Sequence, residues 1–210
     1  PLIDDLIVKQ SKNRIWSIFD LEDGFHQMHL DESSRHLTAF VTTFGAYEFT
    51  VLPMGVKNGL SMFQRMIQWT LMDIPCVLVY IDDVLVGTPD TENTVESHLN
   101  DVKLVLDAFR RNALSVKGSK MHLFMTMVKF CGHLLFDRKR KAAPSRFEAL
   151  VKWKPEMVKT ITHLKSFLGL CQYYSPYIQR YAVIVAPLTD QLKSRTADNS
   201  TITWNEDMCI

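Results

Sequence analysis

The sequence predicts an α+β fold, and three observations support this class. In the first part of the chain, short segments rich in β-branched and aromatic residues alternate with longer segments whose apolar residues recur at helical spacing. Short turns separate neighbouring strand segments, as in hairpins. From Arg146 onward the pattern is helical only. We therefore expect an antiparallel sheet packed on helices, followed by a helical region.

Four segments have the composition of strands, and three of them have the internal turn of a hairpin. They are residues 14–20, 37–52, 76–87 and 128–136. The first is a single strand that ends on a carboxylate. The second is predicted to turn at residues 44–47, and the fourth to bend at or near Gly132.

Four segments have helical spacing. They are residues 59–72, 92–112, 147–153 and 162–177, the last two being separated by Pro155. The apolar face of the first is predicted to contain Leu60, Phe63, Ile67 and Leu71. The apolar face of the second is predicted to contain Val95, Leu99, Val102, Leu106 and Phe109.

Cysteine usage and hydropathy exclude several classes of protein. The cysteines at positions 76, 131, 171 and 209 form no CxxC pair, which argues against zinc-ribbon and thioredoxin-like folds and favours a reducing, intracellular setting. No apolar run approaches membrane-spanning length, and no signal peptide opens the chain. Because the first residue is Pro1, we expect the chain to be a piece of something longer.

Charge is distributed unevenly along the chain. Residues 1–102 contain six Lys/Arg and fifteen Asp/Glu, a net charge of −9, whereas residues 103–165 contain fifteen Lys/Arg and four Asp/Glu, a net charge of +11. An acidic half able to hold metal, followed by a basic segment, suits a polyanionic partner such as nucleic acid. Clustered solvated faces are the alternative explanation. The basic stretch at residues 137–145, with Pro144, is the best candidate domain boundary.

Tyr80-Ile81-Asp82-Asp83 places two adjacent carboxylates between apolar runs. Such a pair is costly in apolar surroundings unless a cation neutralises it, and a divalent metal is the simplest candidate. A plain hairpin turn is the alternative, because Asp is common in turns. Asp20 also ends an apolar strand, so three carboxylates converge if the two strands are neighbours. Three such groups suit two Mg²⁺ ions about 3.5–4 Å apart, the arrangement used in phosphoryl transfer.

An ordered set of short motifs covers essentially the whole chain. The motifs are Asp20-Leu21-x-x-Gly24-Phe25-His26-Gln27, Thr38-Ala39-Phe40, Tyr47-Glu48-Phe49, Leu52-Pro53-Met54-Gly55, Phe63-Gln64, Tyr80-Ile81-Asp82-Asp83, Phe130-Cys131-Gly132-His133, Ser166-Phe167-Leu168-Gly169-Leu170, Tyr173-Tyr174 and Ala186-Pro187-Leu188-Thr189. In order and spacing they resemble the reverse transcriptase of gypsy-type long-terminal-repeat retrotransposons, encoded within a Pol polyprotein.

The resemblance implies a set of catalytic residues. Asp20, Asp82 and Asp83 match the metal ligands, which hold two Mg²⁺ ions with Mn²⁺ as the alternative, and the Leu21 carbonyl matches an additional ligand. Phe25 matches the aromatic steric gate that leaves no room for a ribose 2′-hydroxyl. A core aromatic is the alternative for Phe25 when it is considered without the motif.

The resemblance also implies residues that bind the nucleotide and the template. Met54 and Gly55 match the segment against the incoming nucleotide, and Gln64 matches a helix residue near the template strand. Lys120 matches the lysine that protonates pyrophosphate; a solvated surface lysine is the alternative.

Residues that hold the primer are implied by two later motifs. Phe130, Cys131, Gly132 and His133 match the primer-grip hairpin, and Lys165 on the predicted thumb helix matches a phosphate contact. His133 is also interpreted as a structural or hydrogen-bonding residue and not as a metal ligand, because no second His or Cys lies at ligand spacing.

The fold implied is the right-hand polymerase fold, with a palm and partial fingers at residues 1–140, a helical thumb at 141–185 and the start of a connection toward RNase H at 186–210. The activity implied is RNA-directed DNA polymerisation, with an RNA or DNA template, a primer and deoxynucleoside triphosphates as partners. No oligomeric state is predicted. The alternatives are a truncated or co-opted remnant that binds nucleic acid or protein without catalysis and, more distantly, a metal-dependent nuclease.

Overall fold

The computed structural model describes residues 3–91, 93–143, 148, 150–193 and 201–202. The chain divides into two compact units. The first contains residues 1–131 and 135–140, and the second contains residues 132–134 and 141–210. Within the described ranges, no helix is long and apolar enough to cross a membrane.

A four-stranded sheet forms the centre of the first unit. Its strands are β1 (Ile15–Asp20), β4 (Val77–Tyr80), β5 (Asp83–Thr88) and β6 (His122–Met125), in the order β4-β5-β1-β6. β1 pairs antiparallel with both β5 and β6, and β4 pairs antiparallel with β5. The predicted strand at 14–20 and the strand–turn–strand at 76–87 are therefore confirmed. Their Val, Ile and Leu content suits a sheet with little exposed surface.

The described residues of the first unit include four α-helices: α1 (Ile3–Gln10), α2 (Glu32–Arg35), α3 (Gly59–Thr70) and α4 (Thr94–Arg111). α3 and α4 cover the sheet and confirm the two helices predicted in this region. They and the sheet share one apolar core, whose buried members are Phe19, Leu21, Leu52, Phe63, Ile67, Leu71, Val79, Val84, Val86, Val102, Val105, Ala108, Phe109 and Leu114.

The predicted apolar faces of these helices are partly wrong. On α3, Phe63 and Ile67 are buried as expected, but Leu60 is 47% exposed. On α4 the buried face is rotated from the prediction: Val95, Leu99 and Leu106 are exposed, whereas His98, Val105 and Ala108 join Val102 and Phe109 in the interior. His98 was missed because it is polar, and the spacing of apolar residues contains no information on the hydrogen-bond partners that its burial requires.

Residues 37–52 contain a hairpin that is shorter than predicted. β2 (Phe40–Thr42) pairs with β3 (Gly45–Tyr47), so the turn lies at residues 43–44 and not at 44–47. All six strand residues are exposed. Thr42 Oγ1 accepts a hydrogen bond from the Phe44 amide at 3.1 Å, so a side chain satisfies a backbone donor within the turn.

The hairpin predicted at residues 128–136 is confirmed and gains a third strand. β7 (Met127–Phe130), β8 (His133–Phe136) and β9 (Lys139–Ala142) form a sheet of order β7-β8-β9. The basic stretch at 137–145 therefore contains a turn and a strand, and its residues 144–145 lie outside the described residues. Cys131 and Gly132 both have positive φ (48° and 80°), as type I′ turns require.

The described residues of the second unit that follow β9 are mainly helical. α5 (Ile161–Tyr174) and the 3-10 turn Ser175–Tyr177 confirm the helix predicted at 162–177, and α6 (Tyr181–Lys193) follows. Val158, Ile161, Leu164, Leu188 and Ile202 form its core. The helix predicted at 147–153 falls largely on residues outside the described part of the chain. α6 runs through residue 186, where the connection was predicted to begin, so the domain limits remain predictions.

Candidate active site

Two of the predicted catalytic carboxylates face each other across neighbouring strands. Asp20 is the last residue of β1, Asp83 is the first residue of β5, and the two are paired in the antiparallel register. The neighbouring pair, Phe19 and Val84, is completely buried. Its packing in the core fixes the register of the two strands. The sheet therefore brings together carboxylates that lie far apart in the sequence.

The third carboxylate, Asp82, lies in the loop between β4 and β5. Tyr80 pairs with Asp83, so only Ile81 and Asp82 form the loop. Ile81 has a φ of 59°, a left-handed conformation that is rare for a β-branched residue. The Asp82 carbonyl accepts a hydrogen bond from the Leu21 amide at 3.3 Å, which links this tight loop to the residue after Asp20. Strain of this kind is typical of functional sites.

The three carboxylates interact electrostatically. Burial raises the pKa of Asp83, and the negative charges of Asp82 and Asp20 raise it further, while Lys120 opposes them. A cluster of oxygen donors with unbalanced negative charge fits a hard divalent cation. As the side chains stand, no three or more His, Cys, Asp or Glu residues of the described ranges are arranged to hold one ion. The donor chemistry thus fits a metal, and the ligand set remains a prediction.

Lys120 lies beside this cluster, with part of its side chain in solvent. It ends the 3-10 turn Gly118–Lys120, and its Nζ donates a hydrogen bond to Asp20 Oδ2 at 3.0 Å. The Asp20 side chain is 19% exposed and the Lys120 side chain 57%. The hydrogen bond and charge of Asp20 raise the pKa of the Lys120 amine, which keeps it protonated. This location is compatible with the match to the family's lysine, and the role of Lys120 remains a prediction.

Gln27 was not singled out by the sequence, although it ends the first motif. Its side-chain amide contacts the backbone of Ser115 in both directions: Ser115 N–H donates to Oε1 at 2.7 Å, and Nε2 donates to the Ser115 carbonyl at 2.9 Å. Nε2 also donates to the Glu22 carbonyl. Ser115 lies 88 residues away from Gln27, and sequence spacing gives no signal for such a contact.

Phe25, the predicted steric gate, is held by a close aromatic contact. It lies in the 3-10 turn Gly24–Gln27 and is half-buried, with its ring centroid 5.1 Å from that of Phe63. A Cβ at Gly24 would lie 2.7 Å from Phe63 Cζ, so only glycine permits this approach. Phe25 therefore packs at the edge of the core and keeps part of its surface accessible. The accessible part is compatible with a steric gate, and that role remains a prediction.

The predicted nucleotide and template residues lie on the surface. Met54 is 75% exposed. Gly55 has a φ of 91°, and a Cβ at this position would have no described atom within 4 Å. Gln64 is partly exposed on α3, one residue after the buried Phe63. Their exposure is compatible with ligand contact, and their roles remain predictions.

The predicted primer-grip residues differ in exposure. Phe130 is buried in an apolar cluster of the first unit. His133 is 3% exposed, and its Nδ1 lies 2.5 Å from the Tyr177 hydroxyl within the second unit. Cys131 and Gly132 form the turn between β7 and β8, so backbone is the part of this segment best placed for a ligand. Lys165 lies on the exposed side of α5.

The comparisons with known proteins agree with this geometry. The family model described as reverse transcriptase (RNA-dependent DNA polymerase) matches residues 2–135, which is more than half of the chain. The chain belongs to the reverse transcriptase family. Enzymes of this family are nucleotidyltransferases that generally use divalent metal ions.

The chain is also similar to several Pol polyproteins. It is 34% identical to the retrovirus-related Pol polyprotein from transposon opus of Drosophila melanogaster over 98% of this chain and 21% of that protein. It is 31% identical to that from transposon gypsy over 95% of this chain and 19% of that protein. The enzymatic polyprotein of cauliflower mosaic virus is 33% identical over 92% of this chain and 28% of that protein. The chain thus spans about a fifth of the length of the first two relatives.

Solved structures confirm the fold. The foamy viral protease-reverse transcriptase dRH in complex with double-stranded DNA superimposes with a TM-score of 0.81 at 23% identity, covering 94% of this chain and 34% of that chain. The foamy viral protease-reverse transcriptase in complex with an RNA/DNA hybrid gives a TM-score of 0.72 at 24% identity, covering 96% and 27%. The predicted polymerase fold is therefore confirmed.

Proposed function

We propose that this chain carries the polymerase site of an RNA-directed DNA polymerase, which adds deoxynucleotides to a primer 3′-end on a template strand. The observation that carries the proposal is the pairing of Asp20 with Asp83 next to the strained Ile81–Asp82 loop. The pairing, together with the adjoining loop, brings three carboxylates together at one end of the two central strands. A phosphoryl-transfer site needs such a cluster of negative charge to bind its metal ions. A bare hairpin turn does not require a partly buried carboxylate on the neighbouring strand.

Asp20, Asp82 and Asp83 would hold the metal, with the Leu21 carbonyl as a further oxygen donor. Two Mg²⁺ ions are the occupants we propose, with Mn²⁺ as a substitute, since both prefer oxygen ligands. When bound, such ions neutralise phosphate charge and favour the ionised form of a hydroxyl. The pKa of Asp83 is raised because its surroundings disfavour the charged form, so a cation in this place would stabilise that form.

The reaction forms one bond and breaks one. The primer 3′-oxygen attacks the α-phosphorus of the nucleotide, and its proton passes to solvent. The bond from that phosphorus to the bridging oxygen breaks, and the electron pair leaves with pyrophosphate. We assign to Lys120, protonated beside Asp20, the donation of a proton to the departing oxygen, and its hydrogen bond to Asp20 supports this assignment. The exposed part of Phe25 would lie against the sugar and exclude a 2′-hydroxyl.

The partners proposed are a template with its primer and deoxynucleoside triphosphates. Support comes from the net charge of +11 over residues 103–165 and from the family to which the chain belongs. Two of the structural neighbours were solved with double-stranded DNA and with an RNA/DNA hybrid. Met54, Gly55 and Gln64 are the proposed nucleotide and template contacts.

Contacts to the primer are proposed for residues 130–133 through the Cys131-Gly132 turn, and for Lys165 on α5. The turn and the exposed helix side support these two assignments. The proposed limits of the domains remain residues 1–140 for the palm with partial fingers, 141–185 for the thumb and 186–210 for the start of the connection.

Primer extension tests the proposal. A labelled DNA primer on an RNA template is incubated with Mg²⁺, deoxynucleotides and either the 210-residue chain or the same chain joined to the flanking regions of a full-length relative. We expect longer products, and we expect Asp82→Asn to abolish them while Asp107→Asn, an exposed carboxylate on α4, does not. Undiminished extension by Asp82→Asn, or no extension by either protein, would overturn the proposal.

The alternative of a non-catalytic remnant makes a different prediction for the same experiment. Such a protein would bind the primer–template with steep salt dependence and incorporate no nucleotide at any metal concentration. A nuclease would give shorter strands. Product length and binding, measured on one set of samples, separate the three functions.

A further inference from the structure

Gln27 connects two distant parts of the first unit that meet at the carboxylate site. Its amide uses both its donor and its acceptor on the backbone of Ser115, as a β-bridge would. The Glu22 amide adds a bond to the Ser115 carbonyl at 3.1 Å. Both the backbone amide and the backbone carbonyl of Ser115 are thus hydrogen-bonded to the segment that follows Asp20.

From Ser115 the chain runs directly to Lys120. Val116 pairs with Leu21 as an isolated bridge, and the Lys117 amide donates to the Asp20 carbonyl at 2.8 Å. The chain then turns, and the Lys120 amide donates to the Lys117 carbonyl at 2.9 Å. This turn brings Lys120 Nζ back to Asp20 Oδ2. The position of Lys120 is therefore set by a path that begins at Ser115.

We propose that Gln27 is a positioning residue that acts through Lys120. By holding Ser115, it fixes the start of the segment 115–120 and keeps the Lys120 ammonium at the carboxylate cluster. The inference rests on the proposed polymerase function. Gln27 itself bonds only to backbone groups of Ser115 and Glu22 in these contacts, so its proposed effect on the site is indirect. An apolar side chain of similar length removes these hydrogen bonds with little change in volume.

A double-mutant cycle tests the coupling. Gln27→Met and Lys120→Met are compared singly and together, with Gln68→Met, an exposed glutamine on α3, as the matched control. We expect Gln27→Met to lower kcat about tenfold with little change in KM, because a displaced reacting group loses rate and not substrate affinity. In the Lys120→Met background the same change should have an effect of less than about twofold.

Two outcomes of the cycle overturn the proposal. One is an additive result, in which Gln27→Met keeps its full effect without Lys120. The other is an effect on KM alone, which would place Gln27 in substrate binding. A Gln68→Met variant that loses as much kcat as Gln27→Met would also overturn it, since any amide on the surface would then do the same.

Hydrogen exchange supplies a readout that needs no activity. We expect amide exchange of residues 113–121 to be faster in Gln27→Met than in the wild-type chain and unchanged in Gln68→Met. Unchanged exchange in Gln27→Met overturns the proposal whether or not the protein extends primers. A third outcome separates this proposal from the proposed function. If the wild-type chain extends no primer but exchange is faster in Gln27→Met, the polymerase function is rejected, and with it any effect of Gln27 on catalysis. The same result would still confirm that Gln27 holds the segment 115–120.

Discussion

Asp20 and Asp83 are direct partners in the antiparallel register of β1 and β5, at the edge of the sheet where both strands meet the loop of Asp82. A slip of one residue in this register would turn every side chain of one strand to the opposite face. Phe19 and Val84, the adjacent buried pair, prevent it. The core of the first unit therefore determines the geometry of the carboxylates.

Shortening Phe25 should weaken discrimination against ribonucleotides. Phe25→Val leaves a smaller apolar side chain against Phe63 but removes the ring that we propose lies against the sugar. We expect the ratio of ribonucleotide to deoxynucleotide kcat/KM to rise about 10- to 200-fold. Enzymes discriminate by about this factor between substrates that differ by one small group in a tight pocket. Single-nucleotide incorporation with each substrate measures it. An unchanged ratio, with normal deoxynucleotide incorporation, would leave Phe25 as a core residue only.

Adding a methyl group at Gly24 should destabilise the first unit. The new Cβ would lie 2.7 Å from Phe63 Cζ, and the completely buried Phe63 ring has little room to move. We expect Gly24→Ala to lower the free energy of unfolding by about 1–3 kcal/mol, the usual cost of overpacking. Urea unfolding measures it.

Two further variants locate the cause of that loss. Phe63→Leu combined with Gly24→Ala should cost less than the sum of the two single changes, because the smaller side chain relieves the clash. Gly169→Ala on α5, where no described atom lies within 4 Å of the added Cβ, should be neutral or slightly stabilising. Additive costs at Gly24 and Phe63 would show that the contact is not the source of the loss.

His98 should make the stability of the protein depend on pH. Thr88 Oγ1 donates to Asp101 at 2.5 Å, so it accepts from His98 Nδ1 at 2.7 Å. His98 Nε2 then accepts from Ser17 Oγ at 2.7 Å. The network is complete only with a neutral imidazole. Burial accordingly lowers the pKa of His98, and the Asp101 carboxylate opposes this only in part.

The sign of the effect follows from the lowered pKa. Above the ordinary value of 6.5 the histidine is neutral in both the folded and the unfolded chain. As the pH falls below 6.5 the unfolded chain binds the proton first, so the folded state loses stability by at most about 1.4 kcal/mol per pH unit. His98→Gln should remove this slope between pH 6.5 and the lowered pKa, whereas His26→Gln, an exposed histidine, should not.

The sequence predicts the carboxylates well because each follows a short apolar strand. Strand composition, the tight turn and the motif at Asp82 are local properties, and all three survive in the structure. The contact between Asp20 and Lys120 is not local, and the sequence left Lys120 open between a catalytic and a surface lysine. The path through Ser115 and Val116 brings Lys120 to Asp20 only when the chain is folded, and the catalytic role of Lys120 stays a prediction.

The predicted face of α4 shows where helical periodicity fails. His98 is completely buried because Ser17 and Thr88 satisfy both of its ring nitrogens. A polar residue therefore occupies the interior, and the apolar Val95 is 62% exposed. Hydropathy assigns these two residues to the wrong faces, since it contains no information on hydrogen-bond partners from other strands.

Cys76 should react slowly with alkylating reagents. Burial, and secondarily the Asp101 carboxylate, raise the pKa of the Cys76 thiol from 9.0 to about 12. The thiolate is the reactive species, so its fraction near pH 8 falls about a thousandfold relative to an ordinary thiol. Iodoacetamide labelling of the native protein, followed by peptide mass spectrometry, measures the rate. Equal labelling rates for Cys76 in native and urea-unfolded protein would contradict this prediction.

Tyr177→Phe tests whether His133 acts by supporting the fold or by contacting the primer. His133 is buried, its Nδ1 lies 2.5 Å from the Tyr177 hydroxyl, and the rings of Tyr173 and Tyr177 lie 5.5 and 6.0 Å from its own. Loss of the hydroxyl takes a hydrogen-bond partner from a buried imidazole, which costs about 1–3 kcal/mol. Tyr47→Phe, at an exposed site on β3, should cost less than about 0.5 kcal/mol.

The same pair of variants is then compared in primer–template binding. If His133 supports the fold, Tyr177→Phe should lose stability, which urea unfolding measures. Its affinity for the primer–template should stay within about twofold of the wild-type affinity when both proteins are folded. The reason is that, in this case, the His133 ring does not itself reach the ligand. A histidine that contacts the primer predicts the reverse, since freeing its Nδ1 changes the contact and leaves the core intact. The burial of His133 favours the first result. That result would support our proposal that the primer contacts the backbone of the Cys131-Gly132 turn and not the His133 side chain.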